Sequence, residues 1–232
     1  MANILIAGDT HANMSCLNRY SRMLKNSGVS VSCIIQVGDF GFWNAGDWPL
    51  FESGEFTFLD PVIVIPGNHE DPKVALPYTR KGKTLKNLRA FQDPCEIIII
   101  DGVTIMGIGG AACVDNPSIR YPYDPDNFTK AIKYWEDMGK PKIDLMVTHE
   151  APTGTGEIGL RQFGDLSKCG VPELTLMWKT IKPVLQCNGH YHKFNTYYDQ
   201  ELDLMQMTLP VAQDFCILVN TETMNFERIY LN

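Results

Sequence analysis

The chain has 232 residues, enough for one large α/β domain with a sizeable core that needs neither disulfides nor structural zinc. Its content of 44% hydrophobic and 20% charged residues is that of an ordinary globular protein, and its longest apolar runs, such as 97–100, are far too short to cross a bilayer. A net charge of −7 works against indiscriminate contact with polyanions, so stable nucleic-acid binding is not indicated.

The first apolar run, 4–7, is of strand length and leads straight into Gly8-Asp9, which is not a secretory pattern; a cytoplasmic setting without membrane attachment is expected. Similar runs without alternation at 33–35, 62–65 and 145–147 predict further strands buried on both faces of a helix-covered sheet. Between the first two, Leu17, Tyr20, Met23 and Leu24 fall at helical spacing within 14–26, so strand, helix and strand predict a right-handed crossover and parallel pairing. Residues 96–100 and 103–108 flank Asp101-Gly102, a two-residue hairpin signal. Helices are expected over 126–138, opened by an Asp126-Asn127 cap, and over 171–182. Strand-like pieces follow at 194–198, 204–209, 215–219 and 226–230. No repeat, low-complexity stretch or linker interrupts the chain, which predicts a single domain over 1–232 built from two packed, mixed sheets with helices outside.

The polar residues are placed less evenly than the apolar ones. Asp9 and His11 follow the first predicted strand, Gly38-Asp39 the second and Gly67-Asn68-His69-Glu70 the third, while His149 and Gly189-His190-Tyr191-His192 follow two later ones. The carboxyl ends of parallel strands share one edge of a sheet, and ligands bind there. All five histidines of the chain lie at such strand ends. Singly, each histidine, aspartate or glycine could serve a turn or a structural hydrogen bond; together they form a metal-site pattern. Imidazole mixed with carboxylate and amide oxygen, without thiolate, suits manganese, iron, zinc, nickel or cobalt. Asp9, His11, Asp39, Asn68, His149, His190 and His192 are too many donors for one ion and suit two that share a carboxylate. Two such ions would give an acidic protein the concentrated positive charge needed to hold a phosphate. The seven cysteines (Cys16, Cys33, Cys95, Cys113, Cys169, Cys187 and Cys216) are odd in number and include no C-x-x-C pair, so they read as buried free thiols.

The ordered motifs D-x-H, G-D, G-N-H-E, H and G-H-x-H, running from Asp9 to His192, resemble those of the calcineurin-like metallophosphoesterases. That resemblance implies a four-layer α/β/β/α sandwich with a dinuclear centre at the sheet edge. It implies one metal on Asp9, His11, Asp39 and His192, with Asp39 bridging to a second on Asn68, His149 and His190. His69 would contact the scissile phosphate or its leaving oxygen without binding metal, and Asn68 would stand beside it in the catalytic set. Two divalent ions are implied, Mn2+ foremost, with Fe, Zn, Ni or Co as alternatives. Asp39 is followed by Phe40-Gly41-Phe42-Trp43 where the phosphoprotein-phosphatase branch has Asp-Arg-Gly, and the G-H-x-H pair is complete, so the likeness is to the phosphodiesterase-like branch. Ala12 stands where many relatives carry glycine. The expected activity is metal-dependent hydrolysis of a phosphoester, in first place a phosphodiester of a nucleotide or nucleic acid fragment. A phosphomonoesterase or phosphoprotein phosphatase is the alternative, and a non-catalytic scaffold of the same fold the rival.

Three further features bear on substrate. Phe42 and Trp43, with Trp48, could stack on a nucleobase or pack their own loop. Arg120, Tyr121 and Tyr123 lie in a proline-interrupted segment that can be neither regular strand nor helix; it reads either as a loop bordering the site, with Arg120 as a planar fork for phosphate and the tyrosines as stacking faces, or as a surface loop with Arg120 in a local ion pair. Arg80, Lys81, Lys83, Lys86 and Arg89 form a basic stripe that reads as a solvated face more readily than as a polyanion track.

Overall fold

Alternation of side chains within the short apolar runs decides the architecture of the computed structural model, which describes residues 2–111, 124–155 and 170–231. In β1 (Asn3–Ala7), Leu5 and Ala7 join a cluster with Leu17, Tyr20 and Leu24 of helix α1 (Ser15–Asn26), while Ile4 and Ile6 point the other way into a second cluster. A strand with apolar residues at every position can only be buried on both faces, and each fully buried isoleucine contributes ~1.5–3 kcal/mol.

Parallel pairing extends from β1 to β2 (Cys33–Gln36), β3 (Val62–Val64) and β4 (Leu88–Ala90). On the other side of β1, the C-terminal strands β11 (Cys216–Asn220) and β12 (Phe226–Ile229) add antiparallel, giving the order β12-β11-β1-β2-β3-β4. The second sheet has the order β5-β6-β7-β8-β10-β9. Its centre is parallel: β6 (Val103–Ile108), β7 (Leu145–Thr148), β8 (Leu185–Asn188) and β10 (Leu204–Thr208). Its edges, β5 (Glu96–Ile100) and β9 (Asn195–Asp199), are antiparallel. Asp101 (φ 47°) and Gly102 (φ 84°) both take the positive φ that a tight two-residue hairpin turn requires.

Ile4, Ile6, Ile35 and Ile63 of the first sheet pack against Ile105, Val147, Cys187 and Met207 of the second. Outside the second sheet, Met106 and Met146 meet Phe128 of α4 (Asp126–Asp137) and Leu174 and Met177 of α5 (Pro172–Ile181). The result is the expected four-layer α/β/β/α sandwich.

Three details differ from the sequence reading. Asp126 is the first residue of α4 rather than its cap; Pro125 holds the cap position without a side-chain acceptor, and Asp124, one residue earlier, accepts the Asp126 N–H on its Oδ1 at 3.0 Å. Helices α2 (Trp48–Ser53) and α3 (Pro72–Thr79) escape notice because each carries a proline that reads as a breaker. Pro72 sits in the first turn, where no N–H is needed, and Asp71 caps the helix through the Lys73 N–H at 2.9 Å. Strand β4 is hidden inside the basic stripe, whose cations hold local partners: Arg80 pairs with Asp93 at 3.0 Å, Arg89 with Glu96 at 3.1 Å, and Lys83 lies over the Tyr78 ring at 4.8 Å. No described helix is long and apolar enough to cross a membrane.

Candidate metal centre

The loops leaving β1, β2 and β3 on one sheet, and β7 and β8 on the other, meet at a common rim. The first two are zipped together: the Thr10 and His11 N–H groups both donate to the Asp39 carbonyl, at 3.2 and 2.8 Å. From below, the buried Gln36 amide donates to the carbonyls of Gly8 (3.1 Å) and Gly38 (2.5 Å), strapping both loops to the end of β2. Glu70 clamps the far side, its carboxylate accepting the N–H groups of Phe40 (2.6 Å), Gly41 (3.1 Å) and Phe42 (2.8 Å). Burial, and next the charge of Asp39, push the Glu70 carboxyl up to about 7, against the pull of those three donors.

Donor atoms of Asp9, His11, Asp39 and His192 lie within 4.8 Å of one another, and so do those of Asp39, His149 and His190. Asp39 belongs to both groups. Within the first, His192 Nε2 stands 3.0 Å and His11 Nε2 3.8 Å from Asp9 Oδ2, and the two imidazole nitrogens are 2.9 Å apart. Within the second, His149 Nε2 is 3.4 Å from Asp39 Oδ1 and 3.1 Å from Asn68 Oδ1. Four of these residues hold left-handed backbone conformations unusual for side chains: His11 (φ 46°), Asp39 (φ 50°), His190 (φ 72°) and His192 (φ 55°). Such conformations cost of order 1–3 kcal/mol each and persist only where the surroundings enforce them.

A divalent cation fits this donor set on two counts. Asp9 and Asp39 are fully buried, yet among the described residues their ion-pair partners are imidazoles only. Buried carboxylates call for compensating positive charge. The lone pairs are also aimed correctly. A carbonyl can only accept, so His149 Nδ1 donates to Val37 O at 2.8 Å, and its Nε2 faces two further oxygen acceptors, Asp39 Oδ1 and Asn68 Oδ1, a gap that only a proton or a cation can fill. Burial pushes the His11 and His190 imidazoles down, keeping them neutral and able to donate a lone pair. His149 behaves oppositely: burial lowers it, but the Asp39 carboxylate outweighs burial and raises it. The same pair holds Asp39 well below the usual carboxylate range, although burial alone would raise it. A hydrogen bond to Asp9 raises His192. The rim thus attracts positive charge at two places.

The motif glycines serve close approach more than turn geometry. A Cβ on Gly67 would lie 2.1 Å from Asp39 Oδ1, and one on Gly189 2.1 Å from Asp9 Oδ1, so any side chain there would displace a carboxylate.

His69 is half-exposed at the mouth of the site; its N–H donates to Asp39 Oδ1 at 2.9 Å and its Nε2 is 4.0 Å from Asp39 Oδ2. Trp43 reaches the site too, partly exposed, its ring 6.4 Å from that of His11. Phe42 does not join it. That ring is fully buried, 5.1 Å from Trp48 and 5.2 Å from Tyr78, so the expectation that Phe42 contacts substrate is overturned: the neighbouring apolar helices α2 and α3 enclose it, and Trp48 with it. Arg120, Tyr121 and Tyr123 lie outside the described residues, as do Cys113 and Cys169; Cys16, Cys33, Cys95, Cys187 and Cys216 are buried free thiols. Sequence reasoning missed the work of Glu70, Gln36 and Glu150. Glu70 closes the G-N-H-E motif and Gln36 is the one polar residue in an apolar strand, which were the available signals.

Clustered imidazoles and carboxylates at the carboxyl ends of two sheets define a metal-dependent hydrolase of phosphate esters. The chain belongs to the calcineurin-like phosphoesterase family, whose model matches residues 2–194. Solved structures share the fold at low identity. TT1561 of Thermus thermophilus is 13% identical with a TM-score of 0.64, the match covering 99% of each chain. GAP50, the anchor in the inner membrane complex of Plasmodium, is 11% identical with a TM-score of 0.57 over 100% of this chain and 89% of that one. The 5'-nucleotidase of Candida albicans is 12% identical with a TM-score of 0.53 over 98% of this chain and 50% of that one. No curated protein matches the sequence.

Proposed function

We propose that the protein is a two-cation phosphodiesterase acting on a nucleotide or a nucleic-acid-derived phosphoester, with residues 1–232 forming a single domain in the cytoplasm. The observation that carries the reading is the membership of Asp39 in both donor groups. Asp9, His11, Asp39 and His192 would hold one ion and Asp39, Asn68, His149 and His190 the other, Mn2+ being the favoured metal for such an oxygen and imidazole set. Bound there, the ions supply positive charge to the phosphoryl oxygens and make water a better nucleophile at neutral pH.

The chain's own residues do the rest. Asp39, pinned by the His69 N–H, keeps both donor groups in register. His69, half-exposed at the mouth, would hand a proton to the departing oxygen in the role of a general acid. Trp43 offers a stacking face for a base, which favours a nucleotide-derived substrate over a phosphoprotein. The test is turnover by the Mn2+-loaded protein of bis(p-nitrophenyl) phosphate against p-nitrophenyl phosphate. Faster diester turnover is expected, abolished by a chelator and restored by Mn2+. Preference for the monoester would move the assignment to a phosphomonoesterase, and no turnover of either by fully metal-loaded protein would move it to a scaffold.

A further inference from the structure

Glu150 directly follows His149 at the end of β7, and no part of the mechanism above uses it. It is 2% exposed. Its Oε1 accepts the Tyr191 hydroxyl and the Ala151 N–H, the latter at 2.9 Å. Its Oε2 stands 3.8 Å from His190 Nε2, an electrostatic contact rather than a formed hydrogen bond. Tyr191, itself nearly buried, also accepts the Gly170 N–H on its hydroxyl at 3.0 Å, so it is held at the foot of α5. Glu150 lies outside both donor groups, and among the described residues no lysine or arginine pairs with it. A buried carboxylate without a cation of its own, one oxygen anchored and the other toward an imidazole, needs a reason to be there.

The reason lies in what stands behind each imidazole of the second donor group. Behind His149 is a neutral acceptor, the Val37 carbonyl at 2.8 Å from Nδ1, which fixes the tautomer. Behind His190 is the Glu150 carboxylate. An acceptor in that position keeps the proton on the far nitrogen, turns the near nitrogen's lone pair toward the cation, and strengthens it as a donor. We propose that Glu150 is a positioning residue that orients His190 toward a cation shared with Asp39, His149 and Asn68, and that Tyr191 holds Glu150 in place. The inference rests on the two-cation reading of the site.

The experiment is a titration of metal-free protein with Mn2+, followed by calorimetry for stoichiometry and affinity and by electron paramagnetic resonance for coupling between the ions. Wild-type protein should bind two ions and give the signal of a coupled pair. In Glu150→Gln one ion should bind as before and the other about 10–100-fold more weakly, the usual consequence of removing such a partner, with the coupled signal giving way to that of isolated Mn2+. Tyr191→Phe should weaken the same ion in the same direction by less, and the double variant should be no worse than Glu150→Gln alone, because Tyr191 acts through Glu150. Should Glu150→Gln fail to fold, Tyr191→Phe carries the test. Two ions bound with unchanged affinity in both variants, or both ions weakened equally, would overturn the inference while leaving the two-cation reading intact. Fewer than two ions in the wild-type protein would overturn that reading, and the inference with it.

Discussion

Removing Glu70 should loosen both metal positions at once. Its carboxylate receives three main-chain N–H groups, at 2.6, 3.1 and 2.8 Å, from the loop that immediately follows Asp39. Glu70→Ala leaves those buried donors without partners, at ~1–3 kcal/mol apiece. Against this, the variant no longer confines a carboxyl raised from 4.5 to about 7, a relief of ~3 kcal/mol above neutral pH at about 1.4 kcal/mol per pH unit. The donors win, and a net destabilisation centred near ~3 kcal/mol follows. Glu70→Gln keeps the shape and one acceptor oxygen but turns an N–H2 toward a donor, so it should lose less stability while still releasing part of the loop. Asp39 belongs to both donor groups, so on the two-cation reading a loosened loop should weaken Mn2+ binding at both in parallel. Urea denaturation of the metal-free variants and Mn2+ calorimetry measure the two effects separately. Wild-type affinity for both ions in Glu70→Ala, whatever its stability, would refute the idea that the clamp positions Asp39.

Asp39→Asn removes the charge common to both donor groups and should lower Mn2+ occupancy and diester turnover together; full activity with two ions bound would contradict the two-cation reading. His69→Ala should bind metal normally yet lose ~10²–10⁴-fold in rate, most severely with poor leaving groups; an equal loss with good and poor leaving groups would reduce His69 to holding the phosphate. Gly189→Ala puts a Cβ 2.1 Å from Asp9 Oδ1 and should weaken the ion on Asp9, His11, Asp39 and His192 before the other, as calorimetry would reveal. Burial pushes the thiols of Cys16, Cys33 and Cys95 up to about 12, so they stay protonated below that pH; iodoacetamide at pH 8 should spare them in the folded protein and modify them in urea, and peptide mass mapping showing native-state labelling at a free-thiol rate would contradict their burial.

The rim of the site could be read from sequence because its placement follows from chain direction alone. A run such as 33–36 that is buried on both faces must be an interior strand, parallel strands end on one edge, and whatever polar residue comes next is delivered there. Asp9, Asp39, Asn68, His149 and His190 all obey that rule, and the fold's layers follow from the same runs. Phe42 and Trp43 show where the rule stops. They are neighbours in one loop, yet one ring is sealed against Trp48 and Tyr78 while the other lies near His11. An irregular backbone has no period from which to deduce a side chain's direction, and the walls of the Phe42 pocket come from helices that proline had disguised. The roles of Glu70 and Glu150 were hidden for a related reason: each acts on groups 28–30 or 40–41 positions away, through contacts that only the assembled rim creates. Metal donors announce themselves by residue type, because few side chains bind cations. The residues that aim those donors are ordinary carboxylates, amides and hydroxyls, and only their partners set them apart. The strained φ angles at His11, Asp39, His190 and His192 show why such partners are needed, since a loop left to its own preferences would relax away from the conformations that bring the donors together.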